Sequence, residues 1–232
     1  MKGDAEKAFQ KIKRGPMLGK LAQLWPFLIR LALSLYGGPS PMFFSFTYGR
    51  KGGFSALWCT LGVHQGCVLG SFLFALGASA AFRHLVAAYP DCVAFFLADD
   101  LALCGPPASA REYLADIKEE GERVAGYELN LKTELWSPDG SIDFASWGQA
   151  ACDNAGNPFT VATCGFELLG SYVGDSDAVL VHVEKRVWKH KKLLSTINAM
   201  DDKQAAYTLT RYCANQRIRR VLRVHDTLGG HP

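Results

Sequence analysis

The sequence contains no uncharged apolar run long enough to cross a bilayer: the longest, Cys67 to Phe82, falls short of the ~18–20 residues a spanning helix needs. That run reads as a buried helix, and membrane residence is excluded as an expectation. Met1 to Arg14 is charged and carries no apolar core, which argues against a secretory leader. The seven cysteines (Cys59, Cys67, Cys92, Cys104, Cys152, Cys164 and Cys213) show no metal-ligand spacing, and their number is odd. They read as reduced thiols of an intracellular protein rather than a disulfide framework. There is no internal repeat and no low-complexity tract. The net charge of +3 is too small to identify a nucleic-acid partner on its own.

What is present is ordinary for a globular chain of one large or two small domains: 232 residues, 49% hydrophobic and 20% charged. The charge is unevenly spread. From Val181 onward the chain carries Lys185, Arg186, Lys189, Lys191, Lys192, Arg211, Arg217, Arg219, Arg220 and Arg223 against few carboxylates. Such a basic segment suits contact with a phosphate backbone, and a solvated helix face is the alternative.

Residues 17–36 have apolar positions at helical spacing, interrupted by Pro26, so they form two short helices or one kinked helix. Residues 42–60 alternate and fit a β-hairpin with Lys51-Gly52-Gly53 as its turn. Residues 68–88 form a long helix with many small residues. Residues 92–97 and 101–104 are short apolar strands around Ala98-Asp99-Asp100. Residues 108–125 are an amphipathic helix, 127–136 hold a strand, and 137–163 are a polar, irregular loop insertion. A strand runs from Phe166 to Val173, and the chain is helical from Asp177. Helices interleaved with hairpins indicate an α+β fold.

Asp99-Asp100 at the tip of an apolar hairpin is the sharpest local feature. Adjacent residues of a strand face opposite ways, so two neighbouring acids converge only where the chain turns. Hard cations such as Mg²⁺ take carboxylate oxygens together with substrate phosphates. Read alone, Asp-Asp also serves simply as a solvated turn.

The stretch FFLADDLAL resembles the catalytic hairpin of reverse transcriptases, especially those encoded by non-LTR retrotransposons. Four further stretches follow that family's order. GDAEKAFQKIKR offers Asp4 and Phe9, GVHQGCVLGSFLFALG offers Gln65 and Gly66, GYELNLKTE offers Gly126, Asn130 and Lys132, and FELLGSYVG offers a Leu-Gly strand. The chain begins three residues before Asp4, Leu97 stands where the family has an aromatic residue, and Asn130 and Lys132 are one residue closer than usual.

The resemblance implies a polymerase palm over residues 1–175, an antiparallel sheet with packed helices, including the insertion near 137–163. A mainly helical thumb would span 176–232, and the fingers would be missing. It implies template-directed DNA synthesis by two-metal nucleotidyl transfer, with an RNA template, a DNA primer and deoxynucleoside triphosphates. Asp4, Asp99 and Asp100 would hold Mg²⁺, with Mn²⁺ as substitute. Phe9 would sit under the sugar of the incoming nucleotide, or be a core aromatic. Gln65 and Gly66 would line the nucleotide pocket. Lys132 would stabilise the departing pyrophosphate, or be a surface lysine. Lys185, Arg186, Lys189 and Lys192 would grip the duplex backbone without reading sequence. Location would be nuclear or cytoplasmic. The competing reading is a non-catalytic retroelement remnant that only binds nucleic acid; a metal-dependent nuclease ranks behind both.

Overall fold

A computed structural model of the chain describes residues 1–48, 51–97 and 100–217. Two compact units divide it: Met1–Leu135 with Ile142–Val161, and Trp136–Ser141 with the residues from Ala162 onward. The architecture is mixed α+β, as the alternation of patterns requires.

In the first unit, strand β1 (Lys2–Asp4) leads into a single helical turn, α1 (Ala8–Lys11), and then α2 (Arg14–Leu24). Pro26 cannot continue α2, and a 3₁₀ turn over Pro26–Leu28 redirects the chain into α3 (Ile29–Tyr36). β2 (Ser40–Tyr48) and β3 (Lys51–Cys59) form the expected hairpin. Their pairing runs out to Tyr48↔Lys51, so Lys51-Gly52-Gly53 belongs to β3 and is not the turn. This hairpin keeps large apolar side chains outside, Phe54 at 83% exposure among them.

Helix α4 (Gly70–Ala88) is apolar and long enough to cross a membrane by composition alone. Its residues Leu73, Phe74, Ala81, Phe82 and Leu85 are nevertheless buried in the unit's core. β4 (Val93–Leu97) and β5 (Asp100–Cys104) pair antiparallel, and α5 (Pro107–Glu120) follows, extended by one wider turn over Gly121–Ala125. β6 (Glu134–Leu135) is all that remains of the strand expected over 127–136. A turn closed by the Thr133 N–H on the Asn130 carbonyl interrupts it. The sheet runs β4-β5-β1-β6-β7, where β7 is Thr160–Val161.

Residues 142–161 depart from the expected irregular loop. Phe144, Trp147, Ala150, Ala151 and Phe159 are buried in the core. The polar residues that made this stretch look like loop build its turns instead: Asp143 caps a helical turn by accepting from Ala145 N–H, and Asp153 accepts from the N–H groups of Ala155 and Asn157.

The second unit opens on a small hairpin rather than the single strand expected over 166–173. β8 (Gly165–Leu168) and β9 (Ser171–Gly174) pair across a turn at Leu169-Gly170. Helices α6 (Ser176–Asn198) and α7 (Lys203–Leu209) follow, the latter capped by the Asp202 carboxylate on Gln204 and Ala205 N–H.

One charged side chain ties three segments of the first unit together. Arg14, only 7% exposed, donates Nε–H to the Gly62 carbonyl at 3.0 Å, Nη1 to Gly38 O at 2.7 Å, and Nη2 to Leu61 O at 3.2 Å. Its guanidinium also lies 5.3 Å from the Tyr36 ring. A buried cation is tolerated when its donors are met, and here they meet carbonyls that would otherwise be orphaned. Arg14→Met should therefore lower unfolding free energy by about 3 kcal/mol in urea denaturation, because it strips donors from buried carbonyls. Arg14→Lys should recover less than half, since a single ammonium cannot span the same fork.

Candidate functional site

The geometry of the site begins with β1, which is only three residues long. On one side it pairs antiparallel with β5 in the register Lys2↔Ala102, Gly3↔Leu101 and Asp4↔Asp100. Asp4 and Asp100 are thus directly opposed on one face, where cross-strand Cβ atoms lie ~4.5–5.5 Å apart. On the other side Ala5 bridges Leu129, and the Asn130 N–H donates to the Asp4 carbonyl at 2.9 Å. The Asp4 N–H reaches the buried Thr133 hydroxyl at 3.4 Å.

Asn130 organises this corner. Its Nδ2 donates to Asp4 Oδ2, and its Oδ1 accepts the Lys132 backbone N–H at 2.7 Å. The carboxamide therefore fixes both the Asp4 carboxylate and the turn that carries Lys132. The Lys132 side chain is exposed. The Gly126-x-x-x-Asn130 spacing gains a physical reason: Gly126 ends the α5 extension at φ +71, and a Cβ there would lie 2.6 Å from the Lys11 carbonyl oxygen. Only glycine lets the chain turn against α1 and return along Asp4.

The ladder between β4 and β5 closes at Leu97↔Asp100. Ala98 and Asp99 lie outside the described residues. Among the described residues no group of three or more His, Cys, Asp or Glu is assembled as a metal cage. The pair Asp4 and Asp100 offers oxygen donors on a common face, the donor type that Mg²⁺ takes.

Phe9 is half-buried on α1, stacked on Phe74 of α4 with centroids 4.4 Å apart and planes 12° apart. It borders an apolar cavity of about 490 Å³ that also meets Phe82, Arg83 and Phe96. Lys11 pins the same turn through Glu6 at 2.8 Å and Glu128 at 2.7 Å. The Glu128 and Glu6 bonds raise the Lys11 ammonium, and the Lys11 bond lowers the Glu6 carboxyl.

The Gly62-to-Gly66 segment is docked on α1 by two backbone bonds, Gly62 N–H to Ile12 O and Val63 N–H to Phe9 O, each 2.8 Å. At Gly62, φ is +73 and a Cβ would stand 2.4 Å from Gln10 O, so no side chain fits. Gln65 and Gly66 are exposed at the entry to α4. The sequence-predicted residues of the first unit therefore fall into two neighbourhoods, Asp4 with Asp100 and the Lys132 turn, and Phe9 with the Gln65-Gly66 loop. α1 links them through the chain.

In the second unit, Lys185, Lys189 and Lys192 are exposed and share one stripe of α6 at helical spacing. Arg186 stands about a quarter-turn away, half-buried, and its guanidinium bonds Glu167 of β8. Trp188 is 61% exposed on the lysine stripe. Arg219, Arg220 and Arg223 lie outside the described residues. The motif GYELNLKTE contains Asn130 and Thr133, but sequence reasoning gave neither a role in the site; Trp188 carried no signal.

No family model matches the chain. In sequence it is 28% identical over 146 residues to the Retrotransposable element SLACS 132 kDa protein of Trypanosoma brucei gambiense, covering 62% of this chain and 12% of that protein. Among solved structures, telomerase from Candida albicans in complex with the TWJ fragment of telomeric RNA aligns at a TM-score of 0.42 and 13% identity. That alignment covers 97% of this chain and 40% of the other, and at this score it does not establish a common fold. The sequence similarity is thus to a retrotransposable element protein, of which this chain spans about an eighth of the length.

The Asn130 contacts make a direct prediction. Asn130→Ala should cost about 1–3 kcal/mol in denaturant unfolding, since Asp4 and the Lys132 turn lose a shared partner. Asn130→Asp should cost more at pH 8, where two carboxylates face each other.

Proposed function

We propose that the chain is the palm-and-thumb portion of a reverse transcriptase and synthesises DNA on an RNA template by nucleotidyl transfer. The observation that carries this reading is the antiparallel register Asp4↔Asp100, which brings together two acids 96 residues apart in the chain. Five motifs in family order and the similarity to a retrotransposable element protein support it.

In this reading Asp4, Asp99 and Asp100 hold divalent cations, which when bound activate the primer 3′-oxygen and stabilise the leaving pyrophosphate. Asn130 and Thr133 hold Asp4 in place from the side opposite β5, so that its carboxylate is presented without rotamer search. Phe9 stands beneath the nucleotide sugar and discriminates against a 2′-hydroxyl. Gln65 and Gly66 border the nucleotide, and the Lys132 ammonium lies on a turn anchored to the same asparagine. Lys185, Lys189 and Lys192 contact phosphates of the template–primer duplex, inside the nucleus or cytoplasm. Arg186 contributes through the β8–α6 contact with Glu167.

Primer extension on an RNA template, with Mg²⁺ and then Mn²⁺, tests this. Extension by the wild-type chain should fall at least ~10²-fold in Asp99→Asn and in Asp4→Asn, with binding of the primed template preserved. A folded chain that binds the primed template but extends nothing overturns the polymerase reading and leaves a nucleic-acid-binding remnant.

A further inference from the structure

We infer that Trp188 on α6 is a base-stacking residue, and that the second unit therefore recognises unpaired nucleotides as well as duplex backbone. The inference rests on the nucleic-acid reading of the lysine stripe given above and deepens it.

Tryptophan is the side chain a folded protein most gains by covering, yet Trp188 is 61% exposed in the middle of a long helix. It is not on the buried face, which is marked by Val179 and Ile197. Lys185, Lys189 and Lys192 lie three, one and four residues away and share its stripe of the helix. The Lys192 ammonium stands 5.6 Å from the Trp188 ring centroid, a cation–π contact that orients the indole against a charge. Glu184 and Asp177 border the stripe toward its N-terminal end, so the cationic character is concentrated from Lys185 onward.

An exposed indole among lysines has the two parts that single-stranded nucleic acid requires: a flat ring for a base and ammonium groups for the adjoining phosphates. Paired bases are already stacked and offer an edge, whereas an unpaired base offers its whole face. The indole therefore selects unpaired nucleotides, while the lysines alone accept any phosphate backbone. The same unit repeats the pairing of cation and ring on its other helical segment. The Arg211 guanidinium lies 5.3 Å from the Tyr212 ring and donates to the Tyr207 hydroxyl at 3.2 Å, and both tyrosines are 62% exposed.

The experiment compares fluorescence anisotropy of three labelled RNA–DNA duplexes with the full chain: blunt, carrying a single-stranded template overhang, and carrying an abasic overhang. Wild type should prefer the overhang over the blunt duplex by about tenfold, and the abasic overhang should bind like the blunt one. Trp188→Ala should erase the preference while leaving the salt dependence unchanged; Trp188→Phe should keep most of it. Substituting Lys185, Lys189 and Lys192 together by Ala should instead weaken all three duplexes and flatten the salt dependence. Salt-dependent binding without an overhang preference, or with one that survives Trp188→Ala, overturns the stacking role and leaves the basic-surface reading standing. Absence of salt-dependent binding by wild type overturns both.

Discussion

The candidate site depends on a three-residue strand being clamped from both sides. β1 would be too short to persist alone, because a strand of this length closes too few hydrogen bonds to offset its backbone entropy. It is stable because β5 supplies one ladder and the segment from Leu129 to Glu134 supplies the other. Directly opposed like charges weaken a ladder. The pairing of Asp4 with Asp100 is thus a local cost that the packing of Leu101, Leu129 and Leu135 around it offsets.

Support for that strand reaches back through a chain of backbone contacts. α1 carries Phe9, and its carbonyls receive the Gly62-Val63 segment on one side, while Gly126 presses against Lys11 on the other. Arg14 then binds the carbonyls of Gly38, Leu61 and Gly62, so that the loop bearing Gln65 and Gly66 is positioned from two directions. Much of this network uses backbone atoms as acceptors. It therefore fixes geometry through the main chain and leaves the intervening side chains free of that task.

The second unit works on different physics. Its hairpin and long helix bury few residues, Val179 and Ile197 on α6 among them, and many of its charged and aromatic side chains are outside. Glu167 on β8 takes Arg186 out of the basic stripe, and Lys192 is drawn toward Trp188. Cations that look equivalent in sequence thus divide into one that joins secondary structures and several that face solvent.

Much of this was legible in the chain's one-dimensional pattern. Apolar periodicity located α4 and α5, Pro26 placed the break between α2 and α3, and two apolar runs around the Asp pair gave the β4–β5 hairpin. These features are local, and local sterics and side-chain period determine them. Non-local features were not legible. The burial of Phe144 and Trp147 in a stretch rich in Asp, Asn and Gly and the Asn130 grip on Asp4 each depend on what lies across the fold. The sequence by itself determined which residues could form strands, helices and a carboxylate-bearing hairpin. Only the tertiary structure decided that Asp4 meets Asp100 and that Trp188 faces outward, because register and burial are set by contacts between segments far apart along the chain.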